Sequence, residues 1–352
     1  MTNSNRTPRE LHDATAQTPQ LSHAEIDDSV TSRREMSGLQ SALRTQPFWV
    51  LVAIIAIGFV MSMISDVFLT ERNFFNITRN FAFFGIMALG MSAVICTAGI
   101  DLSVGSLMGL SGIVTGMVMQ AGYGILPGFL ACMATAAVVG LINGVLIAYL
   151  RMAPFVVTLG MLAMARSIAM VVSNNKMIYD FGPDQDLFEW IGGESVFGVP
   201  NPLWVLAILT LLFWWVWRFS TWGRWVIAIG GNAHAAKLAG IPVERITVSV
   251  YMVSSLCAGL AAFLMVGWFG SVTNALGQTY ELNVIAASVI GGANLMGGVV
   301  YAFGAPIGAA LMELIRNSLL LAGIDALWQQ FFVGLFLILA VLLEQIRNRG
   351  GR

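Results

Sequence analysis

Charge is what this 352-residue chain has least of. Asp, Glu, Lys and Arg together supply 11% of it, less than half the roughly 25% of a soluble globular domain. The formal net charge is −1, so no basic excess points to a nucleic-acid partner. Cysteine is almost as scarce. Cys96, Cys132 and Cys257 each fall inside an apolar run; with no CxxC pair among them, they read as small buried hydrophobes and exclude a disulfide framework. His12 and His23 lie in a polar N-terminal stretch and His234 in a polar loop. No metal site and no cofactor is expected from such a set.

Apolar residues are present instead: 57% of the chain is hydrophobic and the mean hydropathy is +0.78. Residues 81–120 hold one ionisable side chain, Asp101. Forty helical residues would extend ~60 Å, about twice the ~30 Å hydrocarbon core of a bilayer. The stretch must fold back, and Thr97-Ala98-Gly99-Ile100-Asp101-Leu102-Ser103 is where it can. Gly99 relaxes the backbone and Ser103 is an expected N-cap, which places Asp101 at or beside a helix break. A carboxylate there serves either a translocation pathway or a structural lock. The pattern of a cap followed by a helix favours the lock.

Apolar segments recur at about 48–69, 81–99, 103–121, 125–150, 154–173, 203–219, 246–267, 282–299, 301–322 and 327–345. Several have the 17–25 residues a spanning helix needs. An all-α, polytopic membrane protein of about ten passes follows, with one short or broken helix near 282–299, where Gly291-Gly292 and Gly297-Gly298 interrupt the run. Residues 1–46 are polar without apolar period and read as a disordered cytoplasmic tail, not as a signal peptide. The transmembrane domain would then be 47–346, with 347–352 a second cytoplasmic tail. Threading the spans this way puts most of the Lys and Arg on one side, which predicts both termini inside. Arg72 and Arg79 run against that rule.

Within spans, Arg316 has Glu313 three residues away on the same helical face, whereas Arg166 has no local partner and requires a group from another helix or an aqueous cavity. Gly105-x-x-x-Gly109 and Gly112-x-x-x-Gly116 predict close helix packing. Asn143, Thr158, Ser288 and Asn294 are polar residues inside apolar runs; Asn143 and Asn294 are candidates for a translocation path, together with Asp101 and Ser103. Ser173-Asn174-Asn175-Lys176 has the S-x-x-K form of penicillin-binding enzymes but lacks its companion K-T-G. It is coincidental.

The longest polar excursion on the inner side is Trp222–Arg245. Asn232 can cap, Ala233–Leu238 favours helix, Gly240 ends it and Pro242 forbids continuation. The expected element is a capped helix of about two turns outside the membrane, suited to a groove on a soluble partner. Its residues Asn232, Ala233, Ala236, Lys237, Leu238 and Gly240 form a candidate coupling loop. They cannot cradle a nucleotide. In the G-x-x-x-x-G-K-[ST] pattern, Ala236 stands where the second glycine belongs and Leu238 where Ser or Thr belongs.

That loop, together with Gly99-Ile100-Asp101-Leu102-Ser103-Val104-Gly105-Ser106 and Val289-Ile290-Gly291-Gly292-Ala293-Asn294-Leu295-Met296-Gly297-Gly298, resembles the permease subunits of bacterial ABC sugar importers. The branch is the ribose, xylose, galactose and arabinose type, distantly related to branched-chain amino-acid permeases. The resemblance covers residues 48–346. It implies an inner-membrane subunit pairing with a second permease copy, identical or related. A periplasmic sugar-binding protein would supply a monosaccharide, and two cytoplasmic ABC ATPase subunits would dock around Asn232–Gly240. Rival readings are the same permease carrying a branched-chain amino acid or a furanosyl signalling molecule, an ion-coupled secondary transporter, and a membrane-embedded enzyme. The last two need paired intramembrane carboxylates or a catalytic cluster, and neither is visible in the sequence.

Overall fold

Long apolar segments punctuated by Gly, Pro and Asn give a succession of helices. The computed structural model describes residues 45–332 with Gly334, Leu335, Ile338 and Leu342. Its helices are α1 (Gln46–Ile64), α2 (Glu71–Cys96), α3 (Val104–Gln120), α4 (Ile125–Ala148), α5 (Pro154–Val172), α6 (Gln185–Gly193), α7 (Asn201–Phe219), α8 (Thr221–Leu238), α9 (Val243–Phe269), α10 (Tyr280–Ile290) and α11 (Gly304–Leu321). Ser195–Val196 and Val199–Pro200 pair as a two-residue hairpin. The predicted all-α class holds. The tail expected over 1–46 lies outside the described residues, apart from Thr45 and Gln46, as do 347–352. Gln46 belongs to α1, and its side-chain amide donates to the carbonyls of Val289 and Ile290 at 3.0 and 3.1 Å.

Local chemistry sets the boundaries. The Thr70 hydroxyl accepts the Asn73 amide at the start of α2, prolines occupy the first turns of α5 and α7, and Gly270 ends α9 in the left-handed conformation at φ 60°. Six helices are long and apolar enough to cross a membrane: α1, α2, α4, α5, α7 and α9; α3 and α10 are shorter apolar helices. Of the ten segments expected, these six meet that measure, and the last, 327–345, lies partly outside the described residues.

Burial sorts the helices. In α2 and α9, 78% of the apolar window is buried inside the protein, against 17% in α1 and 28% in α4, α5 and α7. So α2 and α9 form the centre, and the outer helices expose apolar side chains such as Phe59, Met63, Val171 and Ile208. Lipid tails are as apolar as these groups, which removes the penalty they would meet in water.

The glycine stripe on α3 meets a different partner from the one its spacing predicts. A segment of successive turns between α9 and α10, rather than a helix alone, runs along it. A Cβ on Gly116 would touch Val272, one on Gly112 Leu276, one on Gly109 the Leu276 carbonyl, and one on Gly105 the Gly277 carbonyl. From Gly116 to Gly105 the segment descends roughly 16 Å into the bundle. Non-helical backbone at such depth needs partners. Arg166 supplies two of them, donating through Nη1 to the carbonyls of Asn274 and Leu276. Of the eighth expected segment, 282–299, the helical part is short: α10 has 11 residues and ends at Ile290, where Gly291-Gly292 interrupt the run.

The other intramembrane charges are also housed. Glu313 and Arg316 form a bidentate pair at 2.6 and 2.8 Å, as their spacing predicts, and Asn80 donates to the same carboxylate at 3.0 Å. The Arg79 guanidinium lies 4.0 Å from the centroid of the Trp268 ring, a cation–π contact that eases the burial of a charge the positive-inside rule disfavours.

Candidate functional site

The break between α2 and α3 is closed by side chains. Asp101 is fully buried. Its Oδ1 accepts the Ser103 amide at 3.0 Å and the Ser103 hydroxyl at 2.6 Å. Its Oδ2 accepts the Ser254 hydroxyl of α9 at 3.1 Å. Ser103 Oγ in turn accepts from Asn143 Nδ2 of α4 at 2.9 Å. The N-cap expected of Ser103 is not made, since its side chain bonds no helix amide, and Asp101 ties the turn. Four buried polar groups from three places in the chain form one network, in which a carboxylate receives three donors. Beside it the Tyr251 hydroxyl and Asn143 Oδ1 are buried without a hydrogen-bond partner.

The polar excursion Trp222–Arg245 is more helical than its sequence pattern predicts. Thr221–Gly231 is helix, started by the Ser220 hydroxyl, which accepts the Gly223 amide at 3.0 Å. Asn232 then interrupts α8 with φ −162° and ψ 101°. Its Oδ1 accepts the Ala235 amide at 2.9 Å, capping the short helix Ala233–Leu238. Gly240 reverses the chain at φ 84°, where the Ile241 amide returns to the Ala236 carbonyl at 3.1 Å. The predicted cap, length and stop all agree with the structure.

Orientation adds what spacing could not. Ala236 is the one buried residue of this short helix, and it anchors the helix to its own protein. Lys237 is ion-paired with Glu244. Leu238 is 79% exposed, and Ala233 is exposed beside it. The outward face is therefore Ala233–Leu238, held by Ala236 and fixed at its ends by Asn232 and Gly240.

A crossing of three backbones joins this element to the rest. A Cβ on Gly230 would strike the Cys96 carbonyl at the end of α2 and the Gly298 amide. The Gly298 amide donates to Cys96 O at 2.9 Å, and Gly297 and Gly298 take φ of 85° and 77°. Only glycine meets both the space and the positive φ. Five residues after Cys96 comes Asp101. The three sequence stretches that carry the resemblance therefore converge.

Asn294 is not part of the Asp101 network. It stands half-buried in the loop after α10, where its Oδ1 accepts the Met296 amide at 2.7 Å and closes the turn that leads to Gly297. Thr158 and Ser288 spend their hydroxyls on backbone carbonyls, Pro154 and Ile100 for the first, Val284 and Ala88 for the second. Sequence reasoning passed over Ser254, the residue that carries Asp101 to α9. Its signal was the Ser254-Ser255 pair inside an apolar run. No group of three or more His, Cys, Asp or Glu that could hold a metal occurs among the described residues.

Residues 73–341 match the family described as branched-chain amino acid transport system / permease component. The chain is 36% identical over 295 residues to the ribose import permease protein of Escherichia coli K12, covering 84% of this chain and 92% of that protein. It is 34% identical over 324 residues to the fructose import permease protein of Rhizobium meliloti, 87% of this chain and 88% of that one. To the L-arabinose ABC transporter permease protein of Azospirillum brasilense it is 30% identical over 337 residues, 96% and 98% of the two chains. No solved structure matches.

Proposed function

Since the chain belongs to the branched-chain amino acid transport system permease component family, we propose that it is the membrane subunit of an ATP-driven ABC importer that carries a monosaccharide into the cell. The observation that carries this reading is the likeness to ribose, fructose and arabinose import permeases along at least 84% of the chain. The protein is a transport component, not an enzyme, and ATP hydrolysis resides on a separate ATPase chain. A second permease copy completes the pathway and an external binding protein delivers the sugar. Both termini face the cytoplasm, and ten passes are completed by α3, α10, α11 and the segment after Trp328.

In this arrangement the short helix Ala233–Leu238 is the docking element for the ATPase. Exposed Leu238 supplies an apolar anchor, and Asn232 and Gly240 hold the helix rigid enough to transmit displacement. Motion passes through the Gly230–Gly298–Cys96 crossing to the break at Asp101. Asp101, Ser103 and Asn143 lock that break, and Asn294 shapes the adjoining loop. None of them touches the solute.

Co-purification tests the coupling. Leu238→Asp puts a charge on the outward face and is expected to release the ATPase while leaving the permease folded. Ala236→Asp would instead loosen the short helix itself, because that side chain points inward. An ATPase that stays bound to the Leu238→Asp variant removes the docking assignment. Uptake of ribose, fructose or L-arabinose that survives ATP depletion but not an uncoupler replaces the whole reading with ion-coupled transport.

A further inference from the structure

One polar recess lies apart from the Asp101 network. It has a volume of about 500 Å³ and is lined by Arg166 of α5, Asn175, Asn274, Gln278 and Glu281, within the range of small-molecule pockets. The turns before α10 and the first turn of α10 form one wall, and α5 the other. Asn175 and Gln278 are exposed, while Arg166 and Glu281 are half-buried, so the recess is open to entry.

Much of its hydrogen-bonding capacity is unspent. Arg166 uses Nη1 on the carbonyls of Asn274 and Leu276, leaving Nε and Nη2 free. Asn274 is committed to Ser173 and Asn175. Neither Gln278 nor Glu281 bonds to a neighbouring side chain among the described residues. Arg166 and Glu281 lie close enough to attract one another, and each keeps further polar atoms uncommitted, which favours water or a ligand beside them. The wall therefore offers donors from Arg166, acceptors from Glu281 and both from Gln278. That mixture matches vicinal hydroxyls, each of which donates and accepts. The two charges cancel, so the recess does not demand a charged solute, and Leu162, Met170 and Ala275 give it apolar surface for a sugar's C–H face.

We propose that this recess, built from Arg166, Gln278 and Glu281, is the station in the permease where the hydroxyls of the passing monosaccharide are held. The proposal rests on the sugar-importer reading and assigns residues that reading leaves open.

Thiol protection tests it. The native cysteines are all buried, so Gln278→Cys introduces the one accessible thiol among the described residues. The full-length variant is expressed with its complete importer and labelled with a membrane-impermeant methanethiosulfonate. Millimolar ribose, fructose or L-arabinose is expected to slow labelling at least threefold. Phe197→Cys, on the exposed hairpin turn, is labelled equally with and without sugar. Glu281→Ala is expected to lower uptake about tenfold, and Glu281→Gln, which keeps two hydrogen-bonding atoms, to restore most of it.

A position-278 thiol that is unreactive, or unprotected while uptake of the same sugar proceeds, overturns the recess and leaves the importer reading intact. Protection by leucine rather than by sugars overturns the assigned solute class. Absence of ATP-dependent sugar uptake by the unsubstituted importer overturns the reading beneath it.

Discussion

Replacing Asp101 distinguishes a lock from a relay. Its carboxylate accepts two bonds from Ser103 and one from Ser254 with no exposure to solvent. Asp101→Leu is close in size but accepts nothing, so it orphans three buried donors. At ~1–3 kcal/mol for each unsatisfied group, the loss is roughly 3–9 kcal/mol, a large share of the ~5–15 kcal/mol that holds a typical domain. Asp101→Asn keeps Oδ1 for Ser103 and turns an amide toward Ser254, whose hydroxyl can rotate to accept. Its cost is the lost charge assistance, about 1–3 kcal/mol. The assay is thermal unfolding of the full-length protein in detergent, followed by loss of the monodisperse chromatographic peak. The expected order is unsubstituted protein, then Asn, then Leu, with the Leu variant accumulating poorly and the Asn variant inserted but slower in uptake. An Asp101→Leu protein that melts with the unsubstituted one yet fails to transport refutes the lock and makes the carboxylate a relay group.

Other outcomes follow from the same geometry. Gly230→Ala, which drives a methyl into the Cys96 carbonyl, is expected to abolish uptake and lower the melting temperature; Gly231→Ala, which meets nothing within 4 Å and improves helix propensity, should leave the melting temperature unchanged or slightly raised, so equal effects would refute the crossing. Asn232→Ala removes the cap of the short helix and should cost about 1 kcal/mol locally, read as faster hydrogen exchange over 235–238 with the spans unchanged. Glu313→Ala leaves Arg316 without its ion partner and should destabilise the protein in the same unfolding assay, by less than the ~3–5 kcal/mol of a fully buried pair because the Arg316 side chain is 38% exposed; Glu313→Ala combined with Arg316→Met should recover most of the loss.

Periodicity and capping chemistry made much of this legible. Asn232, Gly240 and Pro242 announced the short helix because capping is local. Glu313 and Arg316 announced their pair because three residues bring two side chains to one helical face. Residues 221–231 were readable too, since buried Gly223, Val226 and Ile229 recur every three residues, but tryptophan and arginine neighbours disguised the pattern as an interfacial loop. The partner of the α3 glycines was not legible. A small-residue stripe specifies close approach but not what approaches, and here it is chiefly a run of turns that the sequence places more than 150 residues later. Arg166 and the carbonyls it satisfies belong to the same class of long-range fact. So does Ser254, 153 residues from Asp101.

The meeting of Gly230, Gly298 and Cys96 has a mechanical consequence. Side-chain contacts yield by rotamer hopping, which lets one element shift while its neighbour stays still. Main-chain atoms in direct contact have no such slack. A displacement of Gly230 would therefore meet the end of α2 directly, at a joint whose stiffness owes nothing to any side chain.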